Sequence, residues 1–420
     1  MCESLWRRRM YLRVGLNDSW PAFLFSRALI WAAGIVIAIL LGTKGVQGAR
    51  LDPLSETAPF GSELMNLVVA PGARFDSSWM LQIAGSGYGA PGTTAFFPLY
   101  PLIVGVVGAG LHSTLIAGIL VSSACTVAAL CLLHNLVALD YGRDIARLTV
   151  WITACFPMAF TFSAVYTEGL FLLLSVGAFY AGRTGRWRLA SGLALLAAAT
   201  RSVGVLLIVP LVGMYLYGPR EAAPSERPNG WRPRFAIRPD FAWLLVIPLG
   251  ALALPIYLAM TGGDPLAVVS AQSEWHRSFV PLGGLVSGIA SGVSGLFELI
   301  AGNVGDAPAQ TATVARAHGA LNLALLGFLI LAGWLTWESA RRLPGSYTAY
   351  ALVSLALPLS TPATTVPLLS LPRFLLVVFP FWIALALRAR ERGWVRRVLA
   401  TSSAALVVGT VLFVGWISGP

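Results

Sequence analysis

Charge is scarce in this 420-residue chain: 11 % of its residues are charged, 57 % are hydrophobic and its mean hydropathy is +0.75. A soluble domain carries roughly twice that charged fraction. A soluble enzyme is therefore excluded, and a polytopic membrane protein is indicated. Lysine is nearly absent, Lys44 being the single one. The cysteines Cys2, Cys125, Cys131 and Cys155 form no CxxC spacing, which excludes a disulfide framework or a zinc site. The histidines His112, His134, His276 and His318 are scattered, so a histidine metal cluster is not expected. A Walker A motif is missing, and with it support for direct ATP-driven transport.

What is present is a succession of apolar runs, near 22–42, 113–138, 149–166, 168–183, 188–200, 203–218, 242–260, 314–338, 346–361, 373–388 and 398–417. They predict an all-α fold, a polytopic transmembrane helical bundle of about 11 transmembrane helices forming one integral-membrane domain over 1–420. Several runs are shorter than the roughly 20 residues a hydrocarbon core requires, so those helices must extend or be broken and buried in protein. The basic segment Met1 to Arg13 precedes an apolar stretch too long for a signal-peptide core and reads as an uncleaved signal anchor.

The net charge of +11 raises nucleic acid or anionic surfaces as partners. Sorting the arginines by face assigns that charge to orientation instead. With the N-terminus cytoplasmic, 21 of the 29 basic residues fall on one side, around Arg7, Arg143, Arg183, Arg220, Arg341 and Arg388. The sorting holds only if Phe96 to Leu111 does not cross, so that stretch and Leu282 to Ala301 are expected to be interfacial or re-entrant. Prolines in the first and glycines in the second suggest broken helices. Two long outer loops follow, 43–111 and 261–313, of the kind that carries function. The Tyr217 to Phe241 link, rich in proline and arginine, reads as a solvated tether at the inner headgroups.

On this topology, ionisable groups from distant positions reach the outer face: Asp76, Glu168, Arg201, Arg373, and Gln272, Glu274, Trp275, His276 and Arg277 of the second loop. A charge buried at a helix end in lipid costs about 3 kcal/mol, which makes Glu168, Arg201 and Arg373 functional residues by default. Arginines beside a carboxylate suit group transfer from a lipid phosphate: the guanidinium neutralises the departing phosphate and the carboxylate deprotonates an acceptor hydroxyl. Asp76, whose nearest basic residue in sequence is Arg74, is the general-base candidate. Bland readings stand beside these. Asp76 caps a loop helix starting at Ser77; Glu168 and Arg201 form an intramembrane ion pair; Arg373 snorkels to the interface; Trp275 anchors at the interface. The cytoplasmic acids contain no DxD pair for a metal-bound nucleotide sugar. Gly85 to Ala90 matches G-x-G-x-x-A but follows no predicted strand, so it reads as a tight turn.

Taken in order, Phe75-Asp76 with Trp79, Gly87-Tyr88, Phe96-Phe97-Pro98-Leu99-Tyr100-Pro101, Phe156-Pro157, Ser163 with Tyr166-Thr167-Glu168, Thr200-Arg201-Ser202 with Gly204, Gln272 with Trp275, and Pro372-Arg373-Phe374 resemble the PIG-V family. This is the GPI mannosyltransferase 2 family with its bacterial relatives, within the GT-C class of polytopic glycosyltransferases. The resemblance implies a GT-C fold and inverting transfer of mannose from a polyprenyl-phosphate-linked donor to a lipid or glycan acceptor at the extracytoplasmic face. It implies Asp76 as general base, and Glu168, Arg201, Gln272, Trp275, His276, Arg277, Arg373, Tyr88 and Tyr166 in substrate binding. No cofactor is implied, and the outer loops lack a paired-acid motif for a divalent metal. Ser202 stands where the eukaryotic pattern has asparagine, and the arginine-rich composition suggests a bacterial plasma membrane and its cell envelope. Two other readings are a lipid or solute transporter gated by Glu168 and Arg201, and a non-catalytic membrane scaffold subunit.

Overall fold

The computed structural model describes residues 2–90, 92–220, 233–274, 277–301, 309–417 and 419, with side chains described outside 2–13, 49, 272–274, 301 and 309–315. Among the described residues the chain is helical, and the only β pairing is an isolated antiparallel bridge between Arg277 and Ala363. The all-α expectation holds, and the count of about 11 spans is not confirmed. Among the described residues six helical stretches are long and apolar enough to cross a membrane: Val14–Leu41, Thr114–Cys155, Pro239–Met260, Gly283–Ile300, Arg316–Arg342 and Val395–Val414. The other predicted runs are shorter helices, among them Glu168–Arg183, Trp187–Ala198, Gly345–Ser360 and Phe379–Arg392.

The breaks explain the difference. The runs at 113–138 and 149–166 fall on two helices of the stretch Thr114–Cys155, which meet at a kink at Gly142 (φ 80°, ψ 168°), a conformation open to glycine. Asp18 of the first helix secures this break: it accepts from Arg143 Nε at 2.6 Å and Nη2 at 2.9 Å, and faces His134 Nε2 at 3.0 Å. The second half stops at Cys155 because Pro157 follows, and residues 156–167 leave α-helical geometry. Irregular backbone inside an apolar bundle must find its hydrogen bonds within the protein. Here it does so: Val165 N–H donates to Gly72 O at 2.8 Å, Thr126 Oγ1 to Phe162 O at 2.7 Å, and buried Arg27 donates to Ser163 Oγ at 2.7 Å and Ala159 O at 2.8 Å.

One further expectation changes. Leu282 to Ala301 is not broken by its glycines: Gly283–Ala301 is a continuous helix packed antiparallel on Ala309–Arg342, with Gly292 against Leu326 and Gly295 against Gly319. The glycines serve close helix contact, which removes the reason for reading the segment as re-entrant. In the first loop, Leu99–Leu111 is a 13-residue helix, about 20 Å long, shorter than the hydrocarbon core. Residues 221–232 of the arginine-rich link lie outside the described residues.

Close packing also fixes the span Pro239–Met260, which opens as a 3₁₀ helix over Pro239–Leu252. A Cβ on Gly250 would lie 2.0 Å from the carbonyl oxygen of Leu195, whereas one on Gly192 would meet nothing within 4 Å. Gly250→Ala is therefore expected to destabilise by about 1–3 kcal/mol through overpacking. Gly192→Ala, in a helix interior, is expected to stabilise by about 0.5–1 kcal/mol. Unfolding midpoints in detergent check both; equal shifts for the two variants would refute this account of the contact.

Candidate functional site

Each charged residue of the site stands where a helix begins after a break. Phe75 is held at φ 51°, a conformation uncommon for a non-glycine residue, and Asp76 opens the helix Asp76–Ser86 directly after it. The Phe75 ring is wedged against Trp416 at 4.8 Å and Phe413 at 6.0 Å between ring centres, so packing maintains the bend. Asp76 does not cap the helix. The Phe75 position carries no side-chain cap, and Ser77 Oγ instead accepts from Arg74 N–H at 3.2 Å. Glu168 opens the helix Glu168–Arg183, where the positive end of the helix dipole favours a carboxylate. Arg201 stands in extended conformation before the 3₁₀ turn Ser202–Leu207. That turn presses Gly204 onto the backbone of Ala197, leaving no room for a side chain. Arg373 lies in the short helix Leu371–Leu376, entered through Ser370 at φ 69° and Pro372.

These breaks bring the four charges into one chain of contacts. Arg373 Nη1 donates to Asp76 Oδ2 at 2.5 Å, and its Nε lies 3.3 Å from Glu168 Oε1. The same Glu168 oxygen accepts from Arg201 Nη1, which also reaches Thr167 Oγ1 at 3.4 Å. Glu168 is fully buried, and its Oε2 makes no hydrogen bond within the protein. Asp76, with 22 % of its side chain exposed, is the most accessible of the four. Aromatic faces hold the guanidiniums: Arg373 lies 5.4 Å over Tyr166, and Arg201 lies 5.0 Å over Phe374. Tyr166 is itself anchored, its hydroxyl donating to Arg74 O at 3.1 Å.

The ion-pair reading of Glu168 and Arg201 describes a real contact, extended by Arg373. Arg373 does not snorkel: its side chain is 12 % exposed and turned onto Asp76. Nor is Arg74 the partner of Asp76. It is fully buried and spends its guanidinium on the carbonyls of Val414, Ala73 and Thr43, with burial pushing its pKa down to about 10 against an opposing pull from Asp52. Arg277 joins the edge of the cluster. Its backbone bridges Ala363, its Nη1 donates to Thr361 O at 3.5 Å, and its pKa is lowered by burial and by the like charge of Arg373, against a raising effect of Asp76. Tyr88 makes its contacts elsewhere: its hydroxyl donates to Phe96 O at 2.9 Å and its ring packs on Tyr257 at 5.7 Å. Trp275, His276 and the side chain of Gln272 lie outside the described residues. The expectation had not singled out Arg27, which supports the irregular segment leading to Tyr166 and Glu168. Its position as the one charge inside the first apolar run was the available signal. Among the described residues, no group of three His, Cys, Asp or Glu side chains converges as a metal ligand set.

Asp76, Glu168 and Arg201 all fall within a matched segment. Residues 22–215 match the mannosyltransferase (PIG-V) family. This is the family that the sequence motifs resemble, and the match ends before Arg277 and Arg373. The chain is 25 % identical over 231 residues to GPI mannosyltransferase 2 of Cryptococcus neoformans var. neoformans serotype D strain JEC21, covering 52 % of this chain and 54 % of that protein. The strain B-3501A protein of the same description shows the same identity and coverage. The chain thus spans about half the length of the curated relatives it matches. No solved structure matches the chain.

With Glu168 removed, two inward-facing guanidiniums lose a shared counter-charge. Glu168→Leu is expected to cost about 3–5 kcal/mol, and the double variant Glu168→Leu/Arg201→Leu to recover most of that loss. Equilibrium unfolding in detergent measures both. Equal losses would mean that packing, not charge, governs the site.

Proposed function

We propose that the chain is a membrane-embedded mannosyltransferase that takes mannose from a polyprenyl-phosphate-linked donor and transfers it, with inversion, to a lipid or glycan acceptor. The observation that carries this reading is the convergence of Asp76, Glu168, Arg201 and Arg373 from four separate helix starts, three of them inside the segment that matches the family. The curated relatives are described as GPI mannosyltransferase 2. The basic end of the bundle, where Arg183 pairs with Asp140 at 2.8 Å, lies about 24 Å from Glu168 along the 16-residue helix that joins them. By the positive-inside rule, that end is cytoplasmic and the Asp76 site faces outward in a bacterial plasma membrane.

In the reaction, the acceptor hydroxyl gives its proton to Asp76 while its oxygen attacks the anomeric carbon of the mannose. The bond from that carbon to the phosphate oxygen breaks, and the electron pair leaves with the polyprenyl phosphate. Asp76 and the phosphate complement one another through Arg373. As Asp76 is protonated, it releases its hold on the guanidinium just when negative charge grows on the leaving phosphate. Glu168 holds Arg373 and Arg201 in place throughout, and Arg277 adds a further cation at the edge. The acid–base and electrostatic roles belong to these side chains, and the scheme calls for no soluble cofactor.

The test supplies the purified full-length protein with polyprenyl-phosphate mannose and a panel of lipid and glycan acceptors. Asp76→Asn is expected to lower the turnover number at least about 100-fold, with little change in unfolding midpoint. Undiminished transfer by this variant would remove Asp76 as the base. Sugar-free flux into sealed vesicles, with no mannosyl product, would replace the enzyme by a transporter.

A further inference from the structure

At the end of the bundle opposite the Asp76 site, a cavity of about 350 Å³ opens between the second half of the kinked helix and the turn that joins Phe379–Arg392 to Val395–Val414. Its lining is graded. Asp144, Arg147 and Arg390 are charged and largely exposed, whereas Leu148, Trp151, Val395 and Leu399 are apolar. On the kinked helix, Asp144, Arg147, Leu148 and Trp151 follow helical spacing and share one face, with the charges nearest Gly142 and the apolar residues a turn or two deeper. The opposite wall repeats the order, from Arg390 at the end of Phe379–Arg392 to Val395 and Leu399 in the first turns of Val395–Val414. The walls therefore pass together from a cationic mouth to an apolar floor, along the direction in which a bilayer passes from headgroups to acyl chains.

The balance of charge at the mouth is positive. Arg390 Nη2 stands 3.8 Å from Asp144 Oδ2, so the lone acid of the lining is spent on one arginine. Arg147 lines the cavity with its side chain about half exposed, its Nε 3.6 Å from Asp18, an acid already engaged by Arg143. A larger cleft of about 740 Å³, lined by Leu16, Trp20, Phe23, Leu120 and other uncharged residues, has no such mouth. It is an apolar surface that any acyl chain covers equally well.

We infer that the smaller cavity is a binding site for an anionic bilayer phospholipid, its phosphate between Arg147 and Arg390 and the first part of an acyl chain against Trp151, Leu148 and Leu399. Basic pockets between membrane helices suit such headgroups, and each arginine near the phosphate contributes roughly five-fold in affinity. The site is separate from the Asp76 cluster and holds whether or not the chain transfers mannose.

The test is native mass spectrometry of the full-length protein in detergent, titrated with phosphatidylglycerol or with phosphatidylcholine. The wild-type chain is expected to bind one phosphatidylglycerol at least about five-fold more tightly than phosphatidylcholine. Arg390→Gln is expected to remove that preference, and Leu399→Trp, which fills the floor, to weaken both lipids while the fold is retained. Equal binding of the two lipids by wild type would overturn the inference, as would an unchanged preference in Arg390→Gln. Farnesyl phosphate displacing phosphatidylglycerol at equal concentration would reassign the site to an isoprenoid phosphate and overturn the phospholipid assignment.

Discussion

The buried carboxylate of Glu168 is the contact on which the arrangement of the site depends. It is fully enclosed in an apolar bundle, and one of its oxygens faces both Arg201 and Arg373. None of the three is stable in such surroundings without the others, because an uncompensated charge there is expensive. Their mutual requirement draws together the ends of helices that begin at Glu168, beyond Arg201 and at Leu371. Arg373 carries the same chain of charge out to Asp76, where solvent or a substrate can meet it.

Such a cluster can exist only where helices stop, and the bundle is built around stopping points at one depth. Unbroken helices would carry apolar side chains through this level. Pro157 follows the end of one helix, Phe75 and Ser370 stand before the start of two others, and Gly204 lies in the 3₁₀ turn after Arg201; backbone groups freed at such breaks must be satisfied by the surrounding protein. Arg27 shows how far that obligation reaches. A guanidinium in the middle of the first long helix is committed to Ser163 and Ala159, so that the segment entering Glu168 is held as firmly as a helix would hold it. Function and irregularity are thus coupled: the breaks shorten the helices, and the shortened helices deliver their terminal charges to one place.

The same coupling decides what could be read from the residues alone. Apolar runs, their scarcity of charge and the sorting of arginines identify a membrane bundle, because hydropathy and interfacial charge are local properties. Asp76, Glu168, Arg201 and Arg373 are legible as charges that apolar surroundings would otherwise exclude. The kink was not legible: 113–138 and 149–166 read as two helices, and only the structure shows how they meet at Gly142. The glycines of 283–301 suggest a broken helix until its neighbour shows them to be contact positions. Arg74 is next to Asp76 in the chain but turns away to three carbonyls, while Arg373, almost 300 residues on, is the partner.

By itself, then, the amino-acid sequence determined the solvent this chain belongs to, the helical class, the ordered motifs that resemble the PIG-V family and the short set of charges able to do chemistry. Only the tertiary structure decided which of those charges touch, which helices are broken, and that Arg74 turns to backbone carbonyls while the Tyr88 hydroxyl donates to Phe96 O. The physical reason is one of range. Burial preference and helix formation act within a few turns, whereas the partner of a buried charge is chosen by the packing of elements hundreds of residues apart.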